Sequence, residues 1–319
     1  MRKIPIYILS GFLGSGKTTL LKQLIQEEQR KNKRIGVIMN EIGKISIDSN
    51  EIPAEIPLCE LLNGCICCSI RGRLETQLLS FIQEHSLDAI YIECTGVAHP
   101  IEVLEACTSP LLVHEMYVKN IITVVDSLRW KERTRMNLRM QKLLVEQVKY
   151  GNIIVLNKTE ELKIKETQQI IEDILHINSD AYIRTVNSEG DMDALLINNT
   201  RSVTVQEHET CHSQNDLHIK TFVYDFNYAV QKETFENWLS TLPSTIYRIK
   251  GYIQFYQDPN VYLFQYSYRM PEYIKQPMEF RKTLVFIGEQ LKKDEIRKEL
   301  AQMEYMCSKQ ERLQAMLNV

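Results

Sequence analysis

Between residues 4 and 186, short apolar runs alternate with longer segments in which apolar residues recur every three or four positions. Short apolar runs are typical of buried parallel strands, and the longer recurrence is typical of amphipathic helices. We predict strands at 4–9, 35–40, 88–93, 120–125, 152–156 and 181–186, and helices at 18–33, 74–85 and 127–149. The predicted fold class is therefore α/β, with a mostly parallel, doubly wound sheet covered by helices on both faces.

The pattern changes after residue 198. Residues 199–217 are polar and aperiodic, which is typical of a linker. The histidines and cysteine near its end are either solvated side chains or weak metal ligands, and they are His208, Cys211, His212 and His218. The predicted domains are 1–198, a linker at 199–217, and 218–319.

In the last hundred residues, apolar and polar residues alternate along several segments, as in strands with one buried face. We predict strands at 218–224, 246–256, 261–268 and 284–288, and helices at 230–242 and 293–307. A turn signal at Asp258, Pro259 and Asn260 predicts a hairpin between the two middle strands. This region should be a smaller α+β domain with an antiparallel sheet.

Composition and charge argue against several functional classes of protein. The 319 residues are 44% hydrophobic and 25% charged with a net charge of −3, so we expect a globular protein without a nucleic-acid partner. No apolar run approaches the roughly 18 residues of a membrane helix, so no membrane partner is expected. The start resembles a signal peptide, but Lys17 interrupts its apolar region, and we expect a cytoplasmic protein. Eight scattered cysteines then favour metal or redox chemistry over disulfides.

Residues 11–18 fit the phosphate-binding pattern G-x-x-x-x-G-K-[ST]. They stand between a predicted strand and a predicted helix, which favours a P-loop over a glycine-rich turn that happens to end in Lys-Thr. Backbone N–H groups in such a loop surround phosphate oxygens, and the helix N-terminus adds partial positive charge. Lys17 is expected to reach the β- and γ-phosphates, and the Thr18 hydroxyl to hold Mg²⁺.

Two later strand ends complete a nucleotide site. Glu93 ends a strand where an NTPase places its Mg²⁺-associated carboxylate, and Gly96 would allow close approach to a γ-phosphate. Asn157, Lys158 and Glu160 resemble the Asn-Lys-x-Asp motif that recognises guanine, with Glu in place of Asp. A carboxylate there accepts hydrogen bonds from two guanine donors that adenine lacks. We therefore predict GTP as the nucleotide.

Three cysteines within four residues form the candidate metal site. Cys65, Cys67 and Cys68 can converge on one soft or borderline cation such as Zn²⁺, and Glu41 at the end of the second strand is a candidate further ligand for a transferred metal. Buried structural cysteines or a redox cluster are the alternatives, and Cys59 belongs with the structural class.

These motifs together resemble the CobW-type GTPases, the metallochaperone group allied to the nickel-insertion GTPases of urease and hydrogenase. The resemblance extends to Arg-x-Lys-Gly at Arg248 and Leu-Val-Phe-Ile-Gly at Leu284. Lys44, His99 and Glu160 depart from the family pattern, and the histidine-rich linker is reduced. The resemblance implies catalytic roles for Lys17, Thr18 and Glu93. It implies nucleotide contacts by the following residues: Gly11, Gly14, Ser15, Gly16, Lys17, Thr18, Thr19, Gly96, Asn157, Lys158 and Glu160.

The resemblance also implies function. We expect a GTPase that binds Zn²⁺, with Co²⁺ or Ni²⁺ as alternatives, and delivers it to client metalloproteins under nucleotide control. The alternative is a cytosolic metal sensor or buffer in which GTP is mainly a ligand. The sequence leaves open whether the chain forms a nucleotide- or metal-dependent homodimer.

Overall fold

The computed structural model describes residues 3–41, 52–53, 56–62, 70–185 and 219–317. The chain divides into two compact units, Met1–Cys107 with Glu115–His218, and Thr108–His114 with Ile219–Val319. The sequence analysis does not anticipate that the short segment Thr108–His114 groups with the second unit. The predicted linker and its possible ligands His208, Cys211, His212 and His218 lie outside the described residues, so the predicted domain boundaries stay predictions.

A parallel sheet organises the first unit. Its seven described strands are β1 (Ile4–Ser10), β2 (Ile35–Glu41), β3 (Leu58–Leu62), β4 (Ala89–Glu93), β5 (Met116–Asp126), β6 (Ile153–Asn157) and β7 (Tyr182–Thr185). Their order is β3-β2-β4-β1-β5-β6-β7, and each of these pairings is parallel. The predicted fold class is confirmed. The sequence analysis missed β3 because Glu60 interrupts its short apolar run.

Helices cover both faces of this sheet. They are α1 (Lys17–Arg30), α2 (Ile70–Glu84), α3 (Pro100–Cys107), α4 (Ser127–Lys131), α5 (Leu138–Tyr150) and α6 (Ile164–Ile177). Successive residues of β6 point to opposite faces, as the pleat requires. Val155 packs in a core cluster with Leu21 and Leu24 of α1, and Ile154 packs in a second cluster with Leu144 of α5. Burial on both faces explains why the strands read as continuous apolar runs.

The predicted helix at 127–149 is wrong as a single element. The Asp126 side chain accepts from Arg129 N at 3.0 Å and begins α4, and Asn137 accepts from Met140 N at 3.0 Å and begins α5. A 3₁₀ turn at Arg133–Arg135 lies between them. Two N-caps therefore divide a segment whose residues all have adequate helix propensity.

The second unit is built on an antiparallel sheet. Its elements are β8 (Lys220–Asp225), α7 (Lys232–Thr241), β9 (Ile246–Gln254), β10 (Val261–Ser267), β11 (Met270–Lys275), β12 (Thr283–Gly288) and α8 (Lys293–Leu317). The order is β11-β10-β9-β12-β8. The β9–β10 hairpin is confirmed. The sequence analysis missed β11 because it is largely exposed on both faces and shows no apolar alternation. Phe235, Trp238, Phe264 and Phe286 lie in the core.

The described helices include none that is both long enough and apolar enough to span a membrane.

Candidate nucleotide-binding site

The loop between β1 and α1 has a backbone that glycine makes possible. Gly11, Gly14 and Gly16 have positive φ angles of 137°, 70° and 100°. At Gly16 a side chain is excluded on a second ground, because a Cβ atom would lie 2.3 Å from Asn157 Nδ2. The loop conformation therefore depends on contact with the end of β6.

Lys17 lies inside this loop. The side chain is 7% exposed, and its Nζ donates to Gly11 O at 3.0 Å and Phe12 O at 3.1 Å. Burial lowers the pKa of Lys17, while the nearby Glu93 carboxylate acts in the opposite direction. The structure thus places an ammonium group inside a loop whose backbone conformation suits a phosphate chain.

Thr18 and Glu93 meet beside the loop. Thr18 Oγ1 donates to Glu93 Oε1 at 2.7 Å, and Glu93 is 8% exposed at the carboxyl end of β4. A hydroxyl and a carboxylate are the oxygen ligands that Mg²⁺ accepts in phosphate sites, where water and phosphate supply the remaining positions. The donor set therefore fits Mg²⁺, as predicted for these two residues.

Gly96 contacts the tip of the same loop. A Cβ atom on Gly96 would lie 2.4 Å from Leu13 N. The segment after β4 therefore packs directly on P-loop backbone, which is the placement expected of a γ-phosphate-sensing residue.

Three consecutive carbonyls on the outside of the loop are each held by a side chain. Leu13 O accepts from Arg129 Nη1, Gly14 O accepts from Lys158 Nζ at 3.1 Å, and Ser15 O accepts from Asn157 Nδ2 at 2.8 Å. These three hydrogen bonds fix the peptide planes of the loop from its outer side. Asn157 and Lys158 therefore position the P-loop in addition to lying at the predicted base site.

Asp126, at the end of β5, binds two of the residues that hold the loop, Lys158 and Arg129. Its Oδ2 accepts from Lys158 Nζ at 2.6 Å and its Oδ1 accepts from Arg129 N at 3.0 Å. Burial acts to raise the pKa of Asp126, but the hydrogen bonds from Lys158 and Arg129 outweigh it and hold the pKa below its ordinary value. The sequence analysis missed Asp126 and Arg129. One sequence feature could have indicated Asp126: it is an acid that ends a buried strand, and that strand pairs with the strand before the P-loop.

An open cleft of about 610 Å³ begins at Asn157 and continues along the start of α6. Glu160 and Thr159 line it together with Leu162 and Ile164. A cleft of this size is ordinary for a small-molecule site. Asn157 thus contacts the P-loop and also lines the cleft. Glu160, the carboxylate predicted to recognise the base, lies on the wall of the same cleft.

The predicted metal ligands are not brought together by described side chains. Cys65, Cys67 and Cys68 lie outside the described residues, as does the side chain of Glu41, whose backbone ends β2. Within the described part of the chain, no group of three or more His, Cys, Asp or Glu residues is placed to hold a metal ion. Cys94 is fully buried, and burial raises its pKa to about 12, so it is a thiol and a poor metal ligand.

Comparison with known families agrees with this geometry. The sequence matches the family described as CobW/HypB/UreG, nucleotide-binding domain, over residues 5–185. It also matches the cobalamin synthesis protein cobW C-terminal domain over residues 219–304. The two matches cover both the parallel and the antiparallel unit.

Individual relatives are similar over different shares of the chain. The zinc chaperone YjiA of Escherichia coli (strain K12) is 32% identical over 324 residues, covering 93% of this chain and 98% of that protein. The zinc-regulated GTPase metalloprotein activator 1 of Dictyostelium discoideum is 30% identical over 58% of this chain and 46% of its own length. The crystal structure of Zn(II)-bound YjiA GTPase from E. coli is 26% identical, covers 95% of this chain and 99% of that one, and has a TM-score of 0.48. The chain belongs to the CobW/HypB/UreG family of P-loop GTPases.

Proposed function

We propose that this chain is a Mg²⁺-dependent GTPase that binds Zn²⁺ at Cys65, Cys67 and Cys68 and delivers it to client metalloproteins under control of the bound nucleotide. The observation that carries the proposal is the convergence of Lys17, Thr18 and Glu93 at the carboxyl ends of β1 and β4. In doubly wound sheets, ligands bind at this edge. The names of the relatives, zinc chaperone and zinc-regulated GTPase metalloprotein activator, support zinc as the cargo. A cytoplasmic location is part of the same proposal.

The chain's own groups account for the nucleotide chemistry. Lys17 would place a positive charge against the β- and γ-phosphates, and the P-loop N–H groups would bind their oxygens. When bound at Thr18 and Glu93, Mg²⁺ would offset charge that develops on the phosphates. Glu160 would accept from the guanine edge in the cleft beside Asn157. Catalysis in this scheme is positioning and electrostatic stabilisation.

Backbone pairing supports a zinc site near this centre. β2 and β3 are parallel neighbours, and Glu41 is in register with Leu62. The chain therefore leaves the sheet beside Glu41 and reaches Cys65 three residues after Leu62. Because the sheet is parallel, the carboxyl ends of β2 and β3 lie at the same edge as the end of β1, where the P-loop begins. We propose that Glu41 joins the three thiolates when zinc is held.

Cysteine variants test the zinc site. Wild-type protein and the Cys65→Ser/Cys67→Ser/Cys68→Ser variant would be titrated with Zn²⁺ against a chromogenic chelator. The matched control is Cys59→Ser, which alters the half-buried cysteine of β3. We expect the triple variant to lose tight zinc binding and the control to keep it. Equal zinc affinity in all three proteins would contradict the proposed site.

The same chelator can distinguish a chaperone from a sensor or buffer, because it reports zinc that the protein releases. Wild-type protein loaded with Zn²⁺ and GTP would be followed through one round of hydrolysis with the chelator present. A chaperone should release zinc as GDP forms. Zinc that stays bound through hydrolysis would favour the sensor or buffer.

A further inference from the structure

We infer that Gln147 of α5 is a positioning residue that holds the loop after Glu93 in the shape that meets the γ-phosphate. This inference rests on the proposed nucleotide role of Gly96. It concerns a residue that lies on a different helix from the P-loop and has no motif of its own.

Gln147 reaches the loop from a fully buried position. It is 1% exposed, and its Nε2 donates to Gly96 O at 3.3 Å and to Ala98 O at 3.4 Å. Its main-chain carbonyl accepts from Thr123 Oγ1 on β5 at 2.9 Å, which fixes this turn of α5 against the sheet. The amide therefore connects a helix anchored on the sheet to two carbonyls of the loop.

Packing alone does not explain this residue. Gln147 Oε1 is buried and accepts no hydrogen bond within the described residues. A buried acceptor without a donor is unfavourable for stability, and an apolar side chain would avoid that cost. The residue is better explained by the two loop carbonyls that its amide group holds.

The loop held by Gln147 is confined on its other side. Gly96 contacts Leu13 of the P-loop so closely that a Cβ atom would lie 2.4 Å from Leu13 N. A hydrogen bond to Gly96 O fixes the plane of the following peptide group. Gln147 thus limits where Gly96 can lie relative to the P-loop tip, which is where a γ-phosphate is expected.

A second contact extends the connection along α5. His99 Nδ1 accepts from Ile101 N at 3.3 Å, and His99 Nε2 lies 3.0 Å from Glu146 Oε2. The His99 ring also packs on Tyr150 with centroids 5.6 Å apart. Residues 146, 147 and 150 of one helix therefore contact residues 96–99. His99, a departure from the family pattern, has a partner in Glu146.

A matched pair of variants tests the inference. Gln147→Met removes the amide with little change in volume. Asn178→Leu removes another buried amide that donates to carbonyls of the same helix region, Val148 O at 3.0 Å and Gly151 O at 2.7 Å. Among the described residues, the hydrogen bonds of its amide nitrogen go to this region and not to the loop. Affinities for GDP and for a non-hydrolysable GTP analogue would be measured with Mg²⁺ and without zinc, together with kcat, KM and the urea midpoint.

Gln147→Met should weaken binding of the GTP analogue about 10-fold and lower kcat, with GDP affinity changed by less than about 3-fold, as a γ-phosphate-specific coupling requires. Asn178→Leu should lower the urea midpoint and leave the ratio of the two affinities unchanged. His99→Ala, at a half-buried site that should fold normally, should shift the ratio in the same direction by about 3-fold.

An unchanged affinity ratio in folded Gln147→Met, with wild-type protein discriminating between the nucleotides, would overturn the inference and leave the proposed function intact. Should Gln147→Met fail to fold, the His99→Ala ratio decides the question. Wild-type protein that binds neither nucleotide would instead contradict the proposed function.

Discussion

Both units of this protein bury carboxylates, and two of them, Glu93 and Glu304, one from each unit, have different partners. Glu93 in the parallel unit is 8% exposed and Glu304 in the antiparallel unit is 5% exposed. Glu304 accepts from Tyr224 OH at 2.5 Å, Asn227 N at 2.6 Å and Tyr228 N at 2.7 Å. Glu93 accepts from Thr18 Oγ1 and lies near the Lys17 ammonium.

The difference separates a structural acid from the acid that we propose to be functional. The partners of Glu304 are groups of its own unit, two of them backbone N–H groups that would otherwise need a partner. Its charge also joins burial in raising the pKa of Tyr224. The partners of Glu93 are the two side chains that a P-loop directs at phosphate and Mg²⁺. Burial is similar, so the identity of the partners indicates the role.

The largest expected effect is on catalysis at Glu93. Glu93→Gln keeps an acceptor for Thr18 but removes the charge that Mg²⁺ requires. We expect kcat for GTP hydrolysis to fall about 10²- to 10³-fold, the usual cost of losing a transition-state electrostatic contact. The urea midpoint should change little. A variant with normal turnover at saturating Mg²⁺ would remove Glu93 from the site.

Glu304→Gln is the reciprocal change. Hydrogen bonds to a charged group contribute about 1.5–3 kcal/mol each, and an amide replaces one acceptor oxygen with a donor. We expect the free energy of unfolding to fall by about 2 kcal/mol on that basis. GTP turnover measured well below the unfolding transition should match wild type. Loss of turnover with unchanged stability would show that partner identity does not separate the two acids.

Asp126 extends the comparison to pH. Because its folded pKa lies below the ordinary value of 3.8, the ionised form is favoured in the native state. Its contribution to stability is therefore present above that value and is lost as pH falls from it through the lower folded pKa. The stability difference between wild type and Asp126→Asn should be constant at higher pH and shrink below about pH 4. Urea unfolding at a series of pH values checks this, and a difference that grows on acidification contradicts it.

The smallest effect is expected at exposed Glu160, on the wall of the cleft beside Asn157. Glu160→Ala should reduce the preference for GTP over ATP about 10-fold, the effect of losing roughly 1.4 kcal/mol of base contact. Glu161→Ala, one residue along the same turn, is the control. Competition of ATP against a fluorescent GTP analogue measures the preference. Equal preference in both variants would place base recognition elsewhere.

Sequence reasoning performed best where one element carries both the pattern and the chemistry. The P-loop and the ends of β4 and β6 were placed because apolar runs ending in polar motifs specify an edge of a parallel sheet. Asp126 and Arg129 were missed because their role depends on β5 lying beside β1, a pairing that no local pattern contains. Gln147 was missed for the same reason, since its contacts are made across the tertiary fold.

Failures of the predicted elements have local causes. The helix at 127–149 is predicted as continuous because charged, Met and Leu residues run through the whole segment. Asn137 interrupts it, since Asn is a poor helix former and a strong N-cap. β11 lacks an apolar face, so its pairing with β10 could not be read from alternation. In both cases hydrogen bonding, by a side-chain cap at Asn137 and by strand pairing at β11, outweighs the apolar pattern.

The central claim is that nucleotide state controls zinc. Wild-type protein would be titrated with Zn²⁺ against a chromogenic chelator, once with GDP and Mg²⁺ and once with a non-hydrolysable GTP analogue and Mg²⁺. Because coupling between two sites is typically about 1–3 kcal/mol, zinc affinity should differ by about 5- to 150-fold, with tighter binding in the GTP state. The reciprocal titration of the GTP analogue with and without Zn²⁺ should give the same factor. Identical zinc affinities in the two nucleotide states would contradict the account.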